Sequence, residues 1–116
     1  MSYQKDRDEF VGVIVGEVIS QGGRADTHSV DLARAILRDA ATMQRLAVEA
    51  CNRELTDGEK RQDDRCQLRI EAACTPWGIK PTFNGDPRGN VVKLLLPSGR
   101  WNSWGGKEDG YCVPTR

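Results

Sequence analysis

Histidine is nearly absent from this chain, and its cysteines are not paired in the way that metal sites require. His28 is the single histidine, so a Cys-His or Ser-His dyad would have to recruit it from a distant part of the sequence. The four cysteines contain no C-x-x-C pair, and no H-E-x-x-H or phosphate-loop lysine motif is present. The sequence therefore predicts no catalytic residue, no metal site and no cofactor.

Net charge and long apolar runs are also missing. The charges of the 17 basic and 17 acidic side chains cancel. This excludes binding to DNA or an anionic membrane through the net charge of the whole molecule, but it does not exclude a local basic patch. The apolar run 10–19 is interrupted by Gly12, Gly16 and Glu17, is too short to span a bilayer, and lacks a signal-peptide cleavage site. We therefore expect a cytosolic protein without membrane contact. Its cysteines are expected to be reduced, small, buried hydrophobic residues: Cys51, Cys66, Cys74 and Cys112.

The size and residue pattern indicate one α+β domain over residues 1–116. A chain of 116 residues can bury roughly two thirds of its unfolded surface, and 38% hydrophobic with 29% charged residues is typical of a globular protein. Apolar spacing is helical over the first two thirds of the chain and extended afterwards. We expect helices in residues 1–53, a third helix in residues 54–78 and a small antiparallel β-meander in residues 79–116, against which the helices pack.

The three helices differ in how clearly the sequence marks them. Residues 1–8 are polar and expected to fray, and residues 8–20 are ambiguous because their β-branched side chains would also suit a strand; the charged start and the following glycines favour a helix. Apolar residues every three or four positions predict a long helix over about 30–52. A capping box of Thr56 and Glu59 predicts the start of a third helix, antiparallel to the second.

Three short strands are predicted after the third helix, which Pro76 and Gly78 should end. The strand candidates are 79–83, 91–96 and 101–104, and residues 111–114 are a candidate edge segment. Side chains alternate along a strand, and Trp101 and Trp104 are separated by an odd number of positions. We therefore expect one tryptophan in the core and the other exposed.

The turn formed by residues 85–89 is the first candidate for a ligand site. Pro87 fixes one backbone angle and Asp86 accepts local amide bonds, so Arg88 should be held in a definite direction. A preorganised arginine fork suits a phosphate or carboxylate group. An ordinary hairpin turn, in which Asp86 and Arg88 pair with each other, would also explain the sequence.

A wider set of arginine, aromatic and amide residues completes the predicted site. In this interpretation the phosphates of a ligand bind Arg88 and Arg100, and Arg45 also contacts them. A base stacks on Phe83 and on either Trp101 or Trp104. Polar base edges or a ribose would contact Asn102 and Asp86. The spacing also places three arginines on one side of the second helix, as a solvated surface or an interface; they are Arg34, Arg38 and Arg45.

Short segments spread over residues 30–116 form a second pattern. They are Gln44-Arg45-Leu46-Ala47, Glu49-Ala50-Cys51-Asn52, Gly85-Asp86-Pro87-Arg88-Gly89, Val92-Lys93-Leu94, Pro97-Ser98-Gly99-Arg100, Asn102, Trp104-Gly105-Gly106 and Val113-Pro114. Together they resemble a family of small proteins encoded by tailed bacteriophages and prophages. By analogy of context and site chemistry, the chain is also similar to the anti-Thoeris phage proteins that trap a cyclic ADP-ribose signal.

The resemblance implies a counter-defence protein in the cytosol of an infected bacterium. We expect it to bind and sequester a small nucleotide signal, of the cyclic ADP-ribose type or a cyclic oligonucleotide, without turnover and as a symmetric homo-oligomer. The alternative is an anti-CRISPR or anti-restriction inhibitor that binds a host defence protein or nucleic acid. A nucleotide-processing enzyme with Asp86 or Cys51 in its chemistry is a third, less favoured interpretation.

Overall fold

A computed structural model describes residues 3–22, 27–85 and 89–105 of the chain. Three helices precede a three-stranded antiparallel sheet, so the predicted α+β class is confirmed. The elements are α1 (Tyr3–Ser20), α2 (Thr27–Asn52), α3 (Asp57–Cys74), a 3-10 turn (Thr75–Trp77), β1 (Lys80–Phe83), β2 (Val92–Leu95) and β3 (Trp101–Trp104). The candidate edge segment 111–114 lies outside the described residues.

The ambiguous N-terminal segment is a helix that begins earlier than the sequence predicted. Phe10, Ile14 and Val18 recur every fourth residue and are all buried, which gives α1 one continuous contact face. The predicted fraying of residues 1–8 is wrong from Tyr3 onward. None of the described helices is long and apolar enough to cross a membrane.

The second and third helices follow their sequence signals closely. In the predicted capping box, the Glu59 amide donates to the Thr56 hydroxyl at 3.1 Å and the Thr56 amide donates to the Glu59 carboxylate at 2.9 Å. Arg53 adds an ion pair to Glu59 at 2.7 Å and fixes the connection from α2. The helix ends at Cys74, and Gly78 adopts the left-handed φ of 67° that releases the chain into β1.

The sheet has the order β1-β2-β3, and its pairing register decides which side chains face the helices. Cross-strand partners include Leu94 with Asn102 and Val92 with Trp104. Because side chains alternate, these four face the helices and are buried. Trp101 is 49% exposed, so the prediction of one buried and one exposed tryptophan is confirmed.

Aromatic side chains of α1 and β3 pack against each other in the core. The rings of Phe10 and Trp104 meet edge to face with their centroids 5.6 Å apart. Gly105 follows with φ of 111°, and a Cβ atom there would lie 2.8 Å from the backbone nitrogen of Val91. This close approach requires glycine.

The cysteines do not share one environment. Cys66 and Cys74 are buried as predicted, whereas Cys51 is exposed near the end of α2, so the prediction is wrong for that residue. Cys112 lies outside the described residues.

Candidate functional site

The side of the sheet that faces away from the helices is the first candidate site, and we call it the outer sheet face. Its side chains follow from the strand register, in which Lys80 pairs with Leu95 and Leu95 with Trp101, while Thr82 pairs with Lys93 and Lys93 with Ser103. These six residues carry two ammonium groups, two hydroxyls and an indole, and none is acidic. The outer sheet face is therefore a cationic surface with one aromatic ring.

Trp101 and Lys93 form a contact on this face. The Nζ atom of Lys93 lies 4.8 Å from the centroid of the Trp101 ring, which is a cation–π distance. Lys93 makes no ion pair with a carboxylate of the described residues. An anion at this face can therefore attract the ammonium group without breaking an existing salt bridge.

Arg100 stands beside Trp101 because of the tight turn between β2 and β3. The Leu96 amide donates to the Arg100 carbonyl and the Gly99 amide to the Leu96 carbonyl, both at 2.8 Å, and Gly99 takes a φ of 89°. Arg100 is exposed and borders a shallow groove that Glu9 and Glu17 of α1 also line. Among the described residues no carboxylate forms an ion pair with it.

Two residues of the predicted site, Asn102 and Trp104, belong to the core and stabilise the fold. The Asn102 amide donates to the carbonyl oxygen of Phe10 at 3.1 Å, and both Asn102 and Trp104 are buried against α1. Neither presents its side chain to a ligand on the sheet surface, because the strand alternation that exposes Trp101 turns both of them inward. The sequence-based assignment applied this alternation to the two tryptophans but not to Asn102.

The other predicted residues are dispersed. Phe83 is half-buried on the helix side of the sheet, and Arg45 is exposed on α2 together with Arg34 and Arg38. Trp101 and Phe83 thus lie on opposite faces of the sheet, and Arg100 borders the groove of α1 rather than the outer sheet face. Two further predicted residues, Asp86 and Arg88, lie outside the described residues.

A second concave surface lies between α2, α3 and the end of β1, and we call it the helix–strand pocket. Its volume is about 270 Å³, and its polar lining includes Asp63 and Gln67. The Gln67 amide donates to the Asp63 carboxylate at 3.2 Å. Burial is the main factor that raises the pKa of Asp63, the Gln67 hydrogen bond opposes it, and the charge of Asp64 adds to it.

A partly buried ion pair between Asp39 of α2 and Arg69 of α3 forms another cluster of charged residues. Asp39 is 4% exposed and accepts two hydrogen bonds from Arg69, at 2.9 and 3.1 Å. The Cys66 thiol lies 3.7 Å from the same carboxylate, and its pKa is raised by burial and by the charge of Asp39. The cluster holds two helices together and keeps the thiol protonated.

Sequence reasoning missed Lys80 and Lys93 of the outer sheet face and Asp63 of the pocket. The strand register would have found the lysines, since both share a face with Trp101. Within the described residues no group of three His, Cys, Asp or Glu side chains is arranged to hold a metal ion. No protein-family model, curated protein or solved structure matches the chain.

Proposed function

We propose that the protein binds a nucleotide ligand on the outer sheet face and does not transform it. The observation that carries the proposal is the half-exposed Trp101 ring with the Lys93 ammonium over it, on a face whose six described strand residues include no acidic side chain. A nucleotide combines a flat base with negative phosphates, and this surface offers a partner for each.

Each group on the face has a distinct role in the proposed complex. A base stacks on Trp101, a contact of roughly 1–3 kcal/mol in nucleic-acid complexes. Lys93 moves from the ring to bind a phosphate, and Lys80 supplies further positive charge. The hydroxyl groups of the face can hydrogen-bond to ribose or to a base edge.

The biological role that fits this chemistry is the one that the resemblance to phage proteins implies. Sequestration of a cyclic ADP-ribose or cyclic oligonucleotide signal needs tight stoichiometric binding, and turnover is not required. An open sheet face covers only one side of such a ligand. A second copy of the chain would cover the other side, which is why a symmetric oligomer belongs to the proposal.

Single-stranded nucleic acid is the second candidate ligand. The outer sheet face is open, and a strand with several phosphates could pass over Lys80 and Lys93. Binding of such a strand releases counterions and weakens steeply with salt, whereas capture of a small nucleotide depends less on salt. The salt dependence of the affinity therefore separates the two candidates.

Calorimetric titration of the intact chain tests the proposal. The ligands are cyclic ADP-ribose, cyclic di- and trinucleotides and a short single-stranded oligonucleotide, each at low and physiological salt. We expect Trp101→Ala to weaken binding by about tenfold or more, since one stacking contact is lost. Leu68→Ala is the matched control because Leu68 is a large, 63% exposed apolar residue on α3.

A second pair of variants tests the charge contribution. Lys93→Ala should weaken binding, whereas Lys60→Ala, which removes an exposed lysine from α3, should not. Mass spectrometry of the ligand recovered after denaturation should show it unchanged. An altered ligand would indicate an enzyme, and absence of binding to every ligand in the panel would contradict the proposal.

A further inference from the structure

The helix–strand pocket has an apolar wall and one charged group. Met43, Leu46 and Leu55 contribute aliphatic surface, and Phe83 contributes an aromatic ring. At about 270 Å³ the pocket is smaller than the pockets that hold drug-sized molecules, which are roughly 300–1,000 Å³. It therefore suits one ring or one long side chain and not a whole nucleotide.

The charged group of the pocket is the carboxylate of Asp63. Its side chain is partly buried in the wall, and among the described residues it accepts a hydrogen bond from Gln67 but forms no ion pair with Lys or Arg. The neighbouring Asp64 adds negative charge. A carboxylate in a partly desolvated apolar wall is stabilised by a cation that brings its own hydrogen bonds.

We propose that the helix–strand pocket binds an organic cation, an ammonium or guanidinium group on an apolar stem or ring, with Asp63 as its counter-ion. The stem lies against Met43 and Leu46, and the cation lies between the carboxylate and the Phe83 ring. A carboxylate supplies a charge-assisted hydrogen bond, and an aromatic ring supplies a cation–π contact. The same arrangement disfavours phosphates, which the negative Asp63 repels.

This site is distinct from the nucleotide site proposed above. Phe83 faces the helices, whereas Trp101 faces away from them on the opposite side of the sheet. The two sites also require opposite charge in their ligands. Failure of one proposal therefore leaves the other unaffected.

Chemical-shift mapping of the amide signals of the folded chain tests the pocket. Benzylamine at neutral pH is the cationic probe, and benzyl alcohol is the uncharged probe of nearly the same shape. We expect benzylamine to shift the signals of Phe83, Asn84 and Gly85, and benzyl alcohol to bind about tenfold or more weakly. N-acetyl-arginine amide replaces benzylamine in a further titration and shows whether the site also takes the basic side chain of a partner.

Two single substitutions assign the effect to one carboxylate. Asp63→Asn should weaken benzylamine binding by about tenfold or more. Asp64→Asn removes the same charge from the adjacent exposed position, outside the pocket lining, and should leave the affinity within a factor of about three of the original chain. Equal binding of alcohol and amine, equal loss in both variants, or no shift with any cation would overturn the proposal.

Discussion

The side-chain amide of Asn102 donates a hydrogen bond of 3.1 Å to the carbonyl oxygen of Phe10, which is 92 positions away in the sequence. The bond ties the last strand to the first helix beside the edge-to-face contact of the Phe10 and Trp104 rings. It also decides the role of Asn102, because a buried amide that is bonded to the backbone stabilises the fold and does not face a ligand.

Asn102→Ala tests this role. We expect the free energy of unfolding to fall by about 1–3 kcal/mol, since the variant loses a buried hydrogen bond and creates a small cavity. Urea denaturation measures the change. Ser103→Ala is the control, because Ser103 points to the outer sheet face, and its effect should be within about 0.5 kcal/mol. Equal effects of the two variants would contradict the assignment.

The glycines of α1 provide a second prediction. Gly12 and Gly16 are exposed, and a Cβ atom at either position would have no heavy atom of the described residues within 4 Å. Each Gly→Ala variant should therefore raise the free energy of unfolding by about 0.5–1 kcal/mol through helix propensity. Gly105→Ala should lower it, because the new Cβ would collide with the backbone of Val91. Thermal unfolding of the three variants gives the signs directly.

Thiol reactivity should differ sharply among the described cysteines. Cys51 is exposed, whereas burial raises the pKa of Cys74 to about 12, and burial with the charge of Asp39 raises the pKa of Cys66. N-ethylmaleimide should modify Cys51 in the folded protein, and it should reach Cys66 and Cys74 only after denaturation. Peptide mass mapping at increasing times checks the order. Early modification of Cys66 would show that the Asp39–Arg69 cluster opens readily.

The pH dependence of stability tests the environment of Asp63. Because its pKa is raised in the folded chain, the folded state binds its proton more tightly than the unfolded state does. The stabilising effect of the protonated group is complete below about pH 3.8 and is lost as the pH rises through the folded value. Asp63→Asn should therefore be more stable than the original chain at neutral pH.

Urea denaturation of both proteins across the acidic range measures this difference. The advantage of Asp63→Asn should grow as the pH rises from below 3.8 and then level off. Asp64→Asn serves as the control, since Asp64 is an exposed neighbour on the same helix. Lower stability of Asp63→Asn at neutral pH would mean that the carboxylate has a cationic partner in the folded chain.

Much of the fold could be predicted from local sequence signals. Apolar spacing identified α2, the Thr56 and Glu59 capping box marked the start of α3, and turn residues separated the strands. The odd spacing of Trp101 and Trp104 identified their opposite faces. These features depend on residues that are close in the sequence, so they can be predicted from one sequence without an alignment.

The candidate site was harder to predict because it depends on contacts between distant segments. Asn102 is polar and lies beside an exposed tryptophan, yet its partner is the Phe10 carbonyl of the first helix. Lys80 joins the outer sheet face only through the register of β1 on β2. Neither contact can be predicted from the neighbouring residues in the sequence. The first depends on the packing of the sheet against α1, and the second on the pairing register of the strands.

The proposed function depends on a nucleotide base stacking on the Trp101 ring. The most direct measurement is a heteronuclear NMR titration that follows the indole N–H signals of the tryptophans while cyclic ADP-ribose, a cyclic dinucleotide or a single-stranded oligonucleotide is added. We expect the Trp101 signal to shift until the site is saturated, while the signal of the buried Trp104 changes little. A ligand that binds and leaves the Trp101 signal in place would contradict the proposal.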